Sequence, residues 1–342
     1  MGTVPQEGKR AQARYPAQFM DQHLRVELDG STRNRRLDHV LCEHLPEWSR
    51  TRVQSLIKAG HVRLGGTTVK KPGLVILEPG LLEVELLEER QEVAPELAAG
   101  LRIVYEDAHL LVVNKPAGVL THTNSPTGEQ GVAELLAERY GPFPSLSDEG
   151  ERRAGVAHRL DRDTSGLLVL GRSVAALERL KEMFAEREVE KVYLALCHGV
   201  ARFDSEWIEA ELGRTEKARD KISVVPPGEG RAASTFYQVL ERHNATTYME
   251  VRPKTGRTHQ VRVHMAHAGL PLVGDEVYKP RGRALTALPA GAPRLGRHAL
   301  HAARLTFPHP IEGHVLSFEA PLPADMQALL DFVRKDLAGT AQ

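Results

Sequence analysis

Residues Ala157-His158-Arg159-Leu160-Asp161-Arg162-Asp163-Thr164-Ser165-Gly166 hold one histidine, two arginines, two aspartates and two hydroxyls. They run directly into the apolar Leu167-Leu168-Val169-Leu170. A carboxylate flanked by guanidiniums stays ionised at neutral pH and can act as nucleophile or base. A solvated turn before a buried strand would also use Asp and Ser to bond its own backbone, but it needs one or two such residues. A second cluster, Lys254-Thr255-Gly256-Arg257-Thr258-His259-Gln260, continues into Val261-Arg262-Val263-His264-Met265. Read as a strand over 260–265, it puts Val261, Val263 and Met265 on one face and Gln260, Arg262 and His264 on the other. The first face would pack into a core, and the second would present cations and hydrogen-bond donors. In a third piece Val192, Leu194 and Leu196 alternate inward and leave Tyr193 on the opposite face with Ala195. Such a tyrosine is either a stacking platform for a base or a satisfied core residue.

Several chemistries lack their signatures. The chain has no Walker P-loop and no GxGxxG after a strand, so use of a nucleotide cofactor lacks support. It has no HxE with PCxxC and no GxSxG elbow, which argues against a zinc base deaminase and a serine hydrolase. His259, His264 and His267 fit neither HExxH nor a cysteine-containing site, so no metal is expected. Only two cysteines are present, Cys42 and Cys197, far apart and without a disulfide framework.

The elements that must hold these clusters fall into two textures. Residues 1–33 read as a polar lead-in. Over 36–45, Leu37, Val40, Leu41 and Leu45 have helical spacing. Ser49 is a plausible N-cap for a second helix carrying Val53, Leu56 and Ile57, with Gly60 past its end. Strand-like pieces follow at 61–64, 67–70, 74–77 and 82–86, which completes a small α+β module over 34–87. Residues 88–100, rich in Glu, Pro and Ala, read as an acidic linker. From 101 to 338 strand signals at 110–114, 167–170, 191–197, 247–251 and 260–265 outnumber helices at 132–140, 174–186 and 326–337. That pattern predicts an α+β domain on a mixed, mostly antiparallel central sheet with flanking helices.

At 342 residues the chain exceeds twice the roughly 100–150 of a typical domain, in keeping with two domains. Hydrophobic residues at 41% and charged residues at 26% describe a globular composition. No apolar run approaches the ~20 residues of a membrane span and the first residues lack an apolar secretory core, so a cytoplasmic protein without a membrane partner is expected. The 45 basic and 45 acidic residues cancel, but not locally. Residues 31–71 carry nine Lys/Arg against three acids, 73–100 one against seven, and 252–304 ten against two. Two basic blocks around an acidic one suggest patches for a polyanion, with a solvated surface as the bland alternative.

The central cluster resembles the signature of the RluA-type pseudouridine synthases, which modify large-subunit ribosomal RNA and some tRNA. Further segments agree in the family's order: Val113-Asn114-Lys115-Pro116-Ala117-Gly118, Lys191 to Leu196, Thr255 to His264, and Gly274-Asp275 with Tyr278. His298-Ala299-Leu300-His301-Ala302 and Phe318-Glu319-Ala320-Pro321-Leu322-Pro323 also match. The 34–87 module is similar to the small S4-like RNA-binding domain that longer members carry in front. The resemblance implies the pseudouridine synthase fold, no cofactor, and RNA as partner, with large-subunit rRNA favoured and tRNA possible. It makes Asp161 the essential carboxylate, Arg262 its partner from a facing strand, and Tyr193 the residue against the uracil. Arg159 would fill the gap left by the flipped uridine. His158, Arg257, His259, Gln260, Arg35, Arg36, Arg50 and Arg52 are assigned to the RNA-facing set. Attack at C1′ and removal of a ribose proton both fit these residues. Two departures, Thr121-His122-Thr123 where the family has a Val-His-Pro-like step and the long basic stretch 281–296, bear on the target site rather than on the chemistry. The competing expectations are a non-catalytic RNA-binding or ribosome-assembly factor and a metal-dependent RNA hydrolase.

Overall fold

The computed structural model describes residues 22–45, 50–86, 100–122, 130–146, 154–215, 218–279 and 288–339. They fall into two compact units that meet in sequence near residue 90.

The first unit is a four-stranded antiparallel sheet with two helices. Its elements are β1 (Gln22–Leu28), α1 (Leu37–His44), α2 (Arg50–Ala59), β2 (Val62–Leu64), β3 (Thr67–Thr68) and β4 (Gly80–Leu86). The strand order is β1-β4-β2-β3. Strand β1 lies in the stretch read as a polar lead-in. Its Leu24, Val26 and Leu28 alternate toward the core, a period-2 signal diluted by the charged residues between them. Residues 74–77, expected as a strand, contribute a single bridge from Val75 to Arg36. Leu37, Val40, Leu41, Val53, Ile57, Val62, Leu82 and Val84 close the core. Ser49, the expected N-cap of α2, lies outside the described residues.

The second unit contains β5 (Arg102–Glu106), β6 (Leu110–Lys115), α3 (Val132–Tyr140), β7 (Ser165–Gly171), α4 (Val174–Glu186) and β8 (Glu190–His198). It continues with β9 (Ser205–Thr215), β10 (Ala218–Val225), β11 (Arg231–Arg242), β12 (Thr246–Pro253), α5 (Gln260–His267), β13 (Leu300–Pro308), β14 (Val315–Glu319) and α6 (Ala324–Gly339). The strands form one ten-stranded sheet in the order β10-β9-β11-β12-β8-β13-β7-β6-β5, with β14 on β13. Every pairing is antiparallel except β13 with β7, as the sequence predicts for a mixed, mostly antiparallel sheet. At that parallel contact Gly166 faces Ala302, where a Cβ would stand 2.3 Å from a carbonyl oxygen. No side chain fits there.

Helices cover both faces of the sheet. Strands β6 and β7 alternate Leu111, Val113, Leu168 and Leu170 toward α3, and Leu110, Val112, Leu167 and Val169 toward α4. Strand β8 does the same, with Ala195 and Cys197 under α5 and Leu194 and Leu196 under α6. Each fully buried aliphatic side chain contributes roughly 1.5–3 kcal/mol, so these central strands anchor the unit. The face bearing Tyr193 is covered by α5 at Ala195 and Cys197, while Tyr193 itself is half-buried, packing against two of the clusters and lining a cleft.

One expectation is overturned. Residues 260–267 are a helix, α5, and not a strand. Gln260, Val261, Arg262, Val263, His264 and Met265 are all buried, so this helix has no polar stripe and its sequence mimics an alternating strand. It starts at His259, whose backbone is left-handed (φ 56°).

Candidate functional site: an acidic group in a basic cleft

A cleft of about 520 Å³ opens beside β8. His158, Arg159 and Asp161 reach it from the loop before β7, Tyr193 from β8, and His259 and Arg262 from the start of α5. The loop is fixed from below by Lys115 at the end of β6. This lysine is wholly buried, and its ammonium donates to the carbonyls of Pro116, Val119 and Arg162 at 2.9, 2.8 and 2.8 Å. Burial pushes its pKa down to about 7. Three carbonyl acceptors match the three donors of an ammonium, whereas a neutral amine offers two. On the same loop Thr121 bonds both the N–H and the carbonyl of Leu160. The Thr164 and Ser165 hydroxyls meet His298 and His301 at 2.7 and 2.9 Å.

Arg262 joins two carboxylates. Its Nε and Nη2 form a fork onto Asp275 at 2.7 and 3.0 Å, and Nη1 donates to Asp161 Oδ2 at 3.1 Å. Asp275 also accepts the N–H groups of Val277 and Tyr278. Burial alone would raise the Asp275 carboxyl, but the guanidinium and the two N–H groups outweigh it and hold the pKa below the usual range. Gly274 before it is left-handed (φ 76°), and a Cβ there would lie 2.0 Å from the Arg297 carbonyl oxygen. The Arg262 guanidinium also sits over the Tyr278 ring, 5.0 Å from its centre. Asp161 accepts this one hydrogen bond from Arg262, and its Oδ1 stands 3.8 Å from His259 Nε2. His259 is held at Nδ1 by the Tyr278 hydroxyl, 2.7 Å away, and burial lowers its pKa. Burial, then the nearby Asp161 charge, raises the Tyr193 phenol above its ordinary value.

The remaining residues of the expected set divide. Arg159 and Arg257 are exposed along the cleft. His158 stacks on Phe184 at 4.3 Å and accepts the Val169 N–H. Burial and Lys191 push its pKa down to about 3, so it is a neutral wall of the cleft. Gln260 departs from its expected role as an RNA contact. It is buried, donates to Ser234 and Thr235, and accepts from Thr255 and the Arg257 N–H, so its amide braces the loop. The three histidines considered for metal go separate ways: His259 to Tyr278, His264 to Thr235, and His267 to the surface.

In the first unit Asp38 is fully buried and accepts from Arg36, Arg50 and Gln54. Arg35 pairs with Glu43. The side chain of Arg52 lies outside the described residues. Sequence reasoning singled out neither Asp275 nor Lys115 as a working residue. The only signals for them were the Gly-Asp and Asn-Lys-Pro segments, whose partners stand far off in sequence.

Comparison with known proteins bears on the family and the fold. The family model described as RNA pseudouridylate synthase matches residues 109–267, and an S4 domain matches residues 35–79. The chain is 38% identical to ribosomal large subunit pseudouridine synthase D of Xanthomonas campestris, covering 91% of this chain and 93% of the relative. It is 41% identical to the protein of the same name from Neisseria meningitidis serogroup B, over 87% of this chain and 79% of the relative. Among solved structures, human RNA Pseudouridylate Synthase Domain Containing 4 superposes with a TM-score of 0.54 at 25% identity, covering 70% of this chain and 96% of that one. The fold and these relatives define an RNA-modifying isomerase. The chain belongs to the RNA pseudouridine synthase family.

Proposed function

We propose that this protein converts uridine to pseudouridine in large-subunit ribosomal RNA, with Asp161 as the carboxylate that acts on the ribose. The observation that carries this reading is the division of labour around Arg262, whose fork goes to Asp275 while one nitrogen steadies Asp161. Among the described residues Asp161 Oδ1 accepts no hydrogen bond, with His259 Nε2 3.8 Å away, and Asp161 and Tyr193 line the same cleft. The names of the bacterial relatives support the ribosomal target. Residues 34–87 serve as the RNA-binding domain, 88–100 as the linker and 101–338 as the catalytic domain. Such a protein works in the cytoplasm, and no helix among the described residues is long and apolar enough to cross a membrane.

The reacting atoms of uridine are inaccessible inside a stacked helix, so the nucleotide is extruded into the cleft. Tyr193 lies against the uracil, and Arg159 occupies the space that the base leaves. The N1–C1′ bond breaks with its electron pair left on the uracil, and the freed uracil rotates. C5 bonds to C1′, the C5 proton passes to solvent, and N1 takes up a proton in its place. Asp161 begins this sequence at C1′ or at a ribose proton; either route needs an oxygen not engaged by a donor. Arg262 balances the carboxylate charge in a partly dehydrated site, where such electrostatics count for more than in water. Arg257 and His259 line the RNA path. Arg33, Arg35 and Arg52, with the outer edges of Arg36 and Arg50 that stay exposed beyond their bonds to Asp38, contact phosphates through the first domain.

The test is tritium release from unmodified large-subunit rRNA labelled at C5 of uridine, with Asp161→Ala alongside. The wild type should release tritium, and the variant should fall by on the order of 10³-fold or more while still binding RNA. RNA binding without release by either protein, on rRNA and on a tRNA panel, would leave a binding factor instead. Release from tRNA alone would move the target.

A further inference from the structure

Three cations on the cleft wall have no part in the reaction described above. Lys191 lies two residues before Tyr193 on β8, so the two side chains leave the same face, roughly 6.6 Å apart along the strand. Lys254 follows the end of β12, in which Val251 is paired with Tyr193. Arg187 closes α4 with a left-handed backbone (φ 66°). All three line the cleft that holds Asp161.

Among the described residues, none of the three is paired with a carboxylate. The acids flanking Arg187, Glu186 and Glu188, are engaged by Arg179 at 3.6 and 2.8 Å. Lys191 is half-buried, with its ammonium 5.9 Å from the centre of the Phe184 ring. Burial, then Arg187 and Lys254, push its pKa down to about 8. Glycine is the usual residue at a left-handed helix end, and a non-glycine residue held there is strained in the way that gathers at ligand sites. Like charges gathered on a partly dehydrated wall repel one another until an anion joins them.

We propose that Arg187, Lys191 and Lys254 form a binding site for one phosphodiester of the RNA, beside the uridine pocket. The proposal rests on the RNA-modifying reading above. A guanidinium can take two phosphate oxygens at once, and the two ammoniums supply point charges. The short step from Lys191 to Tyr193 suits a phosphate adjoining the nucleotide whose base lies on Tyr193.

The experiment measures binding of the full-length protein to an unmodified large-subunit rRNA transcript between 50 and 200 mM KCl. The Arg187→Gln, Lys191→Gln, Lys254→Gln triple variant should bind more weakly. Its log–log salt slope should be shallower by about 0.7, the share of one single-strand phosphate. Lys191→Arg should keep the wild-type slope. Arg187 and Lys254 are exposed, so the double variant Arg187→Gln, Lys254→Gln gives the same reading if the triple fails to fold. A wild-type slope in the folded triple or double variant overturns the site. Absence of tritium release by the wild type from any RNA would sink the isomerase reading, whereas the slope judges the phosphate site alone.

Discussion

Asp38 in the first unit and Asp161 in the second are both carboxylates among guanidiniums, yet they have opposite employment. Asp38 is fully buried, and Arg36, Arg50 and Gln54 together direct five hydrogen bonds at its two oxygens. Nothing is left for a ligand, and the group works as a staple between α1 and α2. Asp161 has a side chain 18% exposed and one hydrogen bond from Arg262. A second carboxylate, Asp275, absorbs the fork that would otherwise close on Asp161. On the function proposed above, the difference teaches that the reactivity of Asp161 comes from what the arginine does elsewhere. A guanidinium wholly committed to one acid makes a structural pair. A guanidinium shared between two leaves one of them usable.

That contrast can be broken at Asp275. Asp275→Asn should leave Arg262 free to swing, and a misplacement of about 1 Å in such a site costs roughly 10²-fold. We expect kcat for tritium release to fall by that order with KM for RNA little changed. Equal losses in kcat and RNA affinity would show that Asp275 supports the whole cleft rather than the aim of Arg262. At Asp38 the effect should be on stability instead. Asp38→Ala should destabilise the first unit by about 1–3 kcal/mol, with the exposure of Arg36 and Arg50 keeping the loss toward the lower end. Its kcat should match the wild type under saturating RNA, and a lowered kcat would contradict the division drawn here.

The smallest effect is a pH dependence. The Arg36 hydrogen bonds, helped by Gln54 and Arg50 against the opposing cost of burial, hold the Asp38 carboxyl well below the usual carboxylate range. A depressed folded value means that the unfolded chain binds the proton first. The stabilisation is therefore complete above the ordinary aspartate pKa of about 3.9 and is lost as pH falls from there through the folded value. The gap between thermal melts of wild type and Asp38→Asn should be constant from about pH 6 to pH 4 and narrow steadily below that. Parallel curves would deny Asp38 this role.

Much of the fold was legible before any coordinates. The helices at 132–140 and 174–186 emerge where the apolar spacing puts them, because each buries one stripe and leaves the rest in water. The strand 167–170 was legible from its continuous apolar run. Strand β1 was not, since its alternating apolar residues are short and interleaved with charge. The residues of the candidate site could be picked out by type and order, and the fold brings Asp161, Tyr193 and Arg262 to one cleft. Gln260 also lines that cleft, but residue type alone does not reveal that its amide makes four hydrogen bonds to its own loop and sheet.

The sequence alone therefore determined the elements that have one wet side and the inventory of groups available for chemistry, since periodicity and residue type are local properties. Only the tertiary structure decided that 260–267 is a helix, because its residues 260–265 are all buried and leave no polar face from which a period could be read. It also decided how Arg262 is shared. Asp161 and Asp275 stand 101 and 13 residues from it along the chain, and only the folded sheet brings both carboxylates onto one guanidinium.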